Sequence, residues 1–201
     1  MKFQLDQLFH VYNQGNNREQ IFLERADYIL FLTTFRKLVM PYCDILAYCL
    51  MPNHFHFLLY ISEKSLKKIM LGNIEIDSLS NGFRKLLSEY AFIFNKKNGR
   101  TGSLFRQKTQ KKCLSDGKQN YVFTCFHYIH QNPLKAGLIN KMEDWEFSSF
   151  RDYTKLRNGT LCNQNLTNLF VEIDESFYDT SYQIINEELS EKLYLKTNKI
   201  V

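Results

Sequence analysis

An α+β fold is expected: a ferredoxin-like or RRM-like antiparallel sheet with two helices packed on one face. Three observations predict it. Short apolar runs of strand length alternate with long amphipathic ones in the order strand–helix–hairpin–helix–strand. Met51-Pro52-Asn53 separates two such runs as a tight turn would. The 201 residues, 44% hydrophobic and 15% aromatic, suffice for one buried core.

Each element follows from local pattern. Phe9-His10-Val11-Tyr12 reads as the first strand, closed by the turn-forming Asn13-Gln14-Gly15-Asn16-Asn17. Asp27 suits the cap of a helix over 28–39, which brings Ile29, Leu30, Thr33 and Leu38 near one face and stops before Pro41. Residues 43–49 and 54–61 are two strands paired as a hairpin. A second helix over 78–96 is amphipathic through Leu79, Phe83, Leu86, Leu87, Tyr90, Ala91 and Phe94. A loop over 98–102 leads into a basic, extended segment, 103–113. A third helix over 119–131 ends at Asn132-Pro133. The expected boundary follows residue 155, with residues 1–155 as the main domain. Residues 156–201 are then an acidic, partly helical extension, helical around 181–195.

Composition excludes several classes. No run approaches the ~20 apolar residues that cross a bilayer, and Met-Lys-Phe-Gln-Leu-Asp-Gln lacks a signal-peptide core. An intracellular, cytoplasmic protein with no membrane partner is expected. Cys43, Cys49, Cys113, Cys125 and Cys162 are odd in number and scattered, which argues for reduced, buried thiols. The net charge of +5 conceals an asymmetry: residues 172–201 hold seven acids against three lysines, so the first 171 carry +9. Within 96–118, eight basic residues stand against Asp116 alone. A cluster of this kind suits a polyanion. Arg100, Arg106, Lys108, Lys111 and Lys112 are the candidate DNA-backbone contacts.

Two segments carry chemistry. On a strand, residues two apart share a face. His54 and His56 therefore project together, while Phe55, Phe57, Leu59 and Ile61 project into an apolar layer. Paired imidazoles on a rigid strand can bind one divalent metal; alone, they are as readily two structural histidines. On the third helix, Val122, Cys125, Phe126 and Ile129 form the buried stripe, and Tyr121, Tyr128 and Asn132 lie close to one line. If that helix crosses the face of His54 and His56, two imidazoles, an amide oxygen and a phenol meet. A divalent ion there would polarise a phosphate, and a tyrosine attacking a phosphodiester would keep the bond energy as an aryl phosphate. Tyr121 is the second candidate phenol. His127 and His130 point away from Tyr128 and are given packing or surface roles. His10 and Trp145 are expected in the core, and Lys135 in solvent.

These residues carry a resemblance. Met51-Pro52-Asn53-His54-Phe55-His56-Phe57-Leu58-Leu59 and Tyr128-Ile129-His130-Gln131-Asn132-Pro133-Leu134-Lys135-Ala136-Gly137-Leu138-Ile139 resemble the two signature blocks of single-tyrosine HUH transposases, especially the REP-associated tyrosine transposases. Supporting matches run from Phe9 to Arg18, from Arg100 to Phe105 and from Trp145 to Arg151, so the resemblance spans roughly residues 8–153. It implies that His54 and His56 are metal ligands, that Asn132 replaces the polar third ligand, and that Tyr128 is the nucleophile. It further implies Mg²⁺ or Mn²⁺, and single-stranded DNA cut beside a hairpin through a 5′-phosphotyrosine, then rejoined. Relatives occur as monomers and as homodimers with exchanged tyrosine helices. Gln14 stands where relatives commonly have arginine. On the residues alone two other readings stay open: a catalytically inactive RRM-like reader of single-stranded nucleic acid, and a two-histidine hydrolase that uses water.

Overall fold

Leu8 to Gln14 form β1, which runs antiparallel to β3 (His54–Tyr60) on one side and to β6 (Gln110–Cys113) on the other. β2 (Asp44–Met51) pairs with the far side of β3, so the four-stranded sheet has the order β2-β3-β1-β6. This computed structural model describes residues 2–114 and 120–183. The topology is the expected ferredoxin-like one. β6 is shorter than the extended segment expected over 103–113, although Phe105 adds an isolated bridge to Gly15.

Period-two alternation sorts the sheet into two faces. Phe55 and Phe57 point toward α1 (Arg25–Leu38), where Phe31 lies 5.2 Å from Phe55 and Phe35 stacks on Phe57 at 4.2 Å. α3 (Ser78–Lys97) completes this layer, with Tyr90 edge-on to Phe31 at 5.1 Å and Phe83 edge-on to Phe35. The helices approach closely at Gly82, where a Cβ would sit 2.4 Å from the Leu38 carbonyl oxygen. Asp27 does not cap α1. Glu24 is the N-cap, and Asp27, one turn inside, accepts from the Glu24 and Leu23 amides to form a capping box. Lys97 at the end of α3 bonds the other Asp27 oxygen at 2.7 Å, tying the two helices together.

α4 (Asn120–Lys135) covers the opposite face. It runs past the expected stop at 131 and carries Pro133 inside it. Proline costs the helix its own missing donor, and neighbouring bonds hold the turn: the Asn132 amide nitrogen donates to the Tyr128 carbonyl at 2.8 Å, and the Ala136 N–H to the Asn132 carbonyl. The stop comes at Gly137 (φ 67°), where Leu138 and Gly137 donate to the Pro133 and Leu134 carbonyls in a Schellman motif.

The outer side of α4 is buried too. Phe126 meets Phe177 of a short terminal helix, α7 (Phe177–Gln183), and Gln131 donates to the Ser181 carbonyl at 2.6 Å. Two further single-turn helices, α5 (Phe150–Tyr153) and α6 (Gln164–Thr167), lie along the way. Ser148 bridges Cys49, Leu50 donates to the Phe147 carbonyl, and Asn163 donates to the Ile45 carbonyl, so residues 147–163 line the outer edge of β2. Arg157 binds Asp152, the Tyr48 hydroxyl and the Glu146 carbonyl. Most of the helix expected over 181–195 lies outside the described residues.

Between β3 and α3 the chain forms α2 (Glu63–Leu66) and a two-stranded ribbon, β4 (Lys68–Leu71) and β5 (Ile74–Asp77), turning at Gly72 (φ 61°). Neither was expected. All five cysteines are buried and free. No described helix is long and apolar enough to cross a membrane.

Replacing Gly82 tests the helix contact. In an open helix Gly→Ala stabilises by up to about 1 kcal/mol. Here Gly82→Ala is expected to destabilise by about 1–3 kcal/mol in urea unfolding. A higher unfolding midpoint would show that α1 and α3 are not held at that distance.

Candidate active site

The face under α4 is set by register. Tyr12 stands opposite His56, Gln14 opposite His54, and His10 opposite Leu58 on one side and Lys112 on the other. Directly paired residues share a face, so His10, Tyr12, Gln14, His54, His56 and Lys112 belong to one surface. α4 lays Tyr128 across it. The Tyr128 ring is edge-on to His56 at 5.7 Å and to His10 at 6.1 Å, within one chain. His54 and His56 have ring centroids 4.9 Å apart. Tyr128 is only 3% exposed, sealed between sheet and helix.

The imidazoles are neutral. Burial lowers His54 to about 4, and burial, then the neighbouring His54 and His10, holds His56 well below the ordinary histidine range. His10 is lowered to about 3, first by burial and then by the Lys112 charge. Neutral rings keep a lone pair, which metal binding requires. His54 Nδ1 lies 2.6 Å from Asn53 Oδ1, and His56 Nδ1 lies 2.9 Å from His10 Nε2. With each Nδ1 engaged, Nε2 is the nitrogen each ring can offer, and His56 Nε2 is buried with no hydrogen-bond partner. Two such rings fit a divalent ion. Among the described residues no group of three His, Cys, Asp or Glu is placed to hold a metal. A third protein donor must therefore be of another type. Asn132, the donor of another type expected from the sequence, stands one turn after Tyr128 and donates its amide nitrogen to the Tyr128 carbonyl.

The basic candidates divide. Lys112 stands on the site face, its ammonium 3.9 Å from the Tyr121 ring centroid. Arg106 and Lys108 line a recess of about 190 Å³ with Tyr12, Asn13, Gln14 and Gln110, directly beside the histidines. Gln14, its amide oxygen turned to the guanidinium, accepts from Arg106 at 2.6 and 2.9 Å. Lys111, one residue from Lys112, points through the other side of the sheet and sits over the Phe3 ring. Arg100 joins neither group: it pairs with Glu19 and donates to the Ser103 carbonyl, stapling a loop.

His127 and His130 pack away from the site, His127 beside Phe123 and Phe177 and His130 bonded to Ser149. Trp145 anchors the core by donating to the Leu50 carbonyl. Lys135 is drawn toward the site, 5.8 Å from the Tyr128 ring centroid. His10 is buried, as expected, but bonded to His56. Its even-numbered parity with Tyr12 is the signal that places it there. Asn53, in the turn before His54, is a second residue that sequence reasoning left without a role.

The sheet thus carries paired neutral histidines and is crossed by a helix that brings a tyrosine to them. The chain is 25% identical over 127 residues, 60% of its length and 69% of the relative's, to a Haemophilus influenzae protein carried under the name REP-associated tyrosine transposase. Its fold matches a solved REP-associated tyrosine transposase bound to a REP hairpin, with a TM-score of 0.55 at 17% identity over 77% of this chain and 83% of that one. No protein-family model matches. The chain is thus similar in sequence to one protein of that name and in fold to another.

Burial of the histidines makes stability depend on pH. Burial lowers His127 to about 4 in the folded chain, against about 6.5 unfolded. Between those values the unfolded chain binds protons that the folded chain refuses. The contribution is therefore complete above pH 6.5 and is lost as pH falls toward 4. Urea midpoints should fall from pH 7.5 to pH 5, and His127→Phe should flatten the dependence by up to about 1.4 kcal/mol per pH unit. Parallel curves for the two proteins would refute the assignment.

Proposed function

We propose that this protein is a divalent-metal-dependent single-stranded DNA nicking and rejoining enzyme, acting beside a DNA hairpin through a covalent 5′-phosphotyrosine on Tyr128. The observation that carries the reading is the Tyr128 ring lying 5.7 Å from His56, on the surface shared with His54. An inactive nucleic-acid reader needs no phenol at paired imidazoles, and a hydrolase that uses water needs no tyrosine.

His54, His56 and Asn132 would hold the ion, Mg²⁺ or Mn²⁺. When bound, the ion supplies Lewis acidity at a phosphate oxygen. Imidazole is softer than Mg²⁺ prefers, which favours Mn²⁺ in vitro. The chain's own groups do the rest. Arg106, Lys108 and Lys112 hold the DNA backbone along the recess and the site face, where their charges pair with phosphates. Arg100 and Lys111 serve elsewhere: Arg100 is committed to Glu19, and Lys111 lies on the opposite face. Lys135, its ammonium 5.8 Å from the Tyr128 ring centroid, is placed to meet a phosphate brought to that tyrosine.

Tyr128 Oη then attacks the phosphorus and gives up its proton. The P–O3′ bond breaks, and the departing 3′ oxygen takes a proton to become a free hydroxyl. Attack by a 3′-hydroxyl on the phosphotyrosine reverses these events, so no high-energy cofactor is needed. Because Tyr128 is nearly sealed, productive binding must open the contact between α4 and the sheet.

A labelled single strand bearing a hairpin, incubated with Mn²⁺, should yield a protein–DNA adduct that survives denaturant. Tyr128→Phe should abolish it and leave DNA binding within about threefold, since removing one hydroxyl costs little contact energy. An adduct formed by that variant would disprove the assignment and turn attention to Tyr121. For the backbone contacts, Lys108→Ala and Lys112→Ala should each weaken hairpin binding and lower the salt dependence by roughly one phosphate contact. An unchanged salt slope would remove them from the interface.

A further inference from the structure

His56 has two ring nitrogens, and only one tautomer can bind a cation through Nε2. If the ring proton sits on Nε2, no lone pair remains there. The choice is made by whatever engages Nδ1, and that partner is His10, with Nε2 2.9 Å from His56 Nδ1. The two rings are also stacked, 5.0 Å apart and 26° from parallel, so His10 supports the plane of His56 as well as its hydrogen bond. His10 is itself held in place. It is fully buried at the middle of β1, flanked across the sheet by Leu58 and Lys112, beside Tyr12 at 4.8 Å and under the edge of Tyr128. His10 Nδ1 and His56 Nε2 are both buried without a partner. A cation at His56 Nε2 satisfies that lone pair and leaves only the His10 Nδ1–H unmet, whereas the opposite tautomer leaves a buried N–H on His56 that no cation can relieve.

We propose that His10 is the positioning residue of the site: its Nε2 accepts the Nδ1–H of His56, fixing the tautomer and ring plane that present His56 Nε2 to the metal. Asn53 Oδ1 does the same for His54 from the preceding turn, so the pair is oriented by one residue from each of two segments. The inference rests on the metal-binding reading given above, yet its core, the protonation of the His56 ring, exists without metal.

Nitrogen-15 NMR of the metal-free protein reads that core directly. His56 should carry its proton on Nδ1, with Nε2 showing the shift of an unprotonated nitrogen; the reverse pattern overturns the proposal. Mn²⁺ titration of wild type, His10→Phe and His10→Gln supplies the second readout. Phenylalanine keeps the ring and loses the acceptor, so Mn²⁺ affinity should fall about 10–100-fold, the usual effect of losing a partner behind a metal ligand. Glutamine restores an oxygen near the Nε2 position and should recover affinity to within about threefold of wild type. Equal affinities for wild type and His10→Phe would refute the role, as would equal losses in both variants with unchanged thermal unfolding. A wild type that shows the expected tautomer but binds no Mn²⁺ would instead bring down the metal reading, and with it any catalytic purpose for His10.

Discussion

The pairing register of β1 with β3 is the constraint on which the rest of the structure depends. Slipping it by one residue would turn every side chain of β1 to the opposite face. His10 and Tyr12 would enter the layer occupied by α1 and α3, and Phe9 and Val11 would face Tyr128. The observed register sets Tyr12 against His56 and Gln14 against His54, and Phe55 and Phe57 enforce it from beneath. Each is wholly buried against an aromatic of α1. Packing on one face thus holds the chemistry on the other, at a cost of about 3–5 kcal/mol for losing one such phenylalanine.

Much of this arrangement was legible in the residues. Alternation along 54–61 separates the histidines from the phenylalanines without any tertiary information, and spacing along the tyrosine helix brings Tyr128 and Asn132 to neighbouring turns. The sheet order follows from the succession of strands and helices. What escaped has physical causes. Asp27 can serve a helix start from the cap or from one turn inside, and residue type alone does not choose between them. Pro133 marks the helix end only where its lost donor matters, and here the Asn132 side chain and the Gly137 stop took over. The ribbon over 68–77 is four residues a side, too short for alternation to register, although Gly72-Asn73 marks its turn.

The basic cluster shows where charge counting ends. Lys111 and Lys112 are adjacent in sequence, yet strand geometry sends one to Phe3 and the other to Tyr121, on opposite sides of the sheet. Arg100 spends its guanidinium on Glu19 and a loop carbonyl. Only pairing and register distinguish cations facing the histidines from those that hold the fold together. The same holds for the histidines: His10, His56, His127 and His130 are buried and His54 is half-buried, yet His127 and His130 meet α7 and Ser149, while His10, His54 and His56 gather beneath Tyr128.

A four-stranded sheet has two open margins, each a ready template for another chain's backbone. Here both are guarded by different means. The outer side of β2 is occupied by residues 147–163, whose amides and carbonyls meet Leu50, Cys49 and Ile45. Among the described residues no strand pairs with the outer side of β6, which is only four residues long and carries two lysines. A foreign strand docking there would gain few backbone bonds while crowding like charges. The lysines of the β6 margin therefore disfavour edge-to-edge pairing with a second sheet.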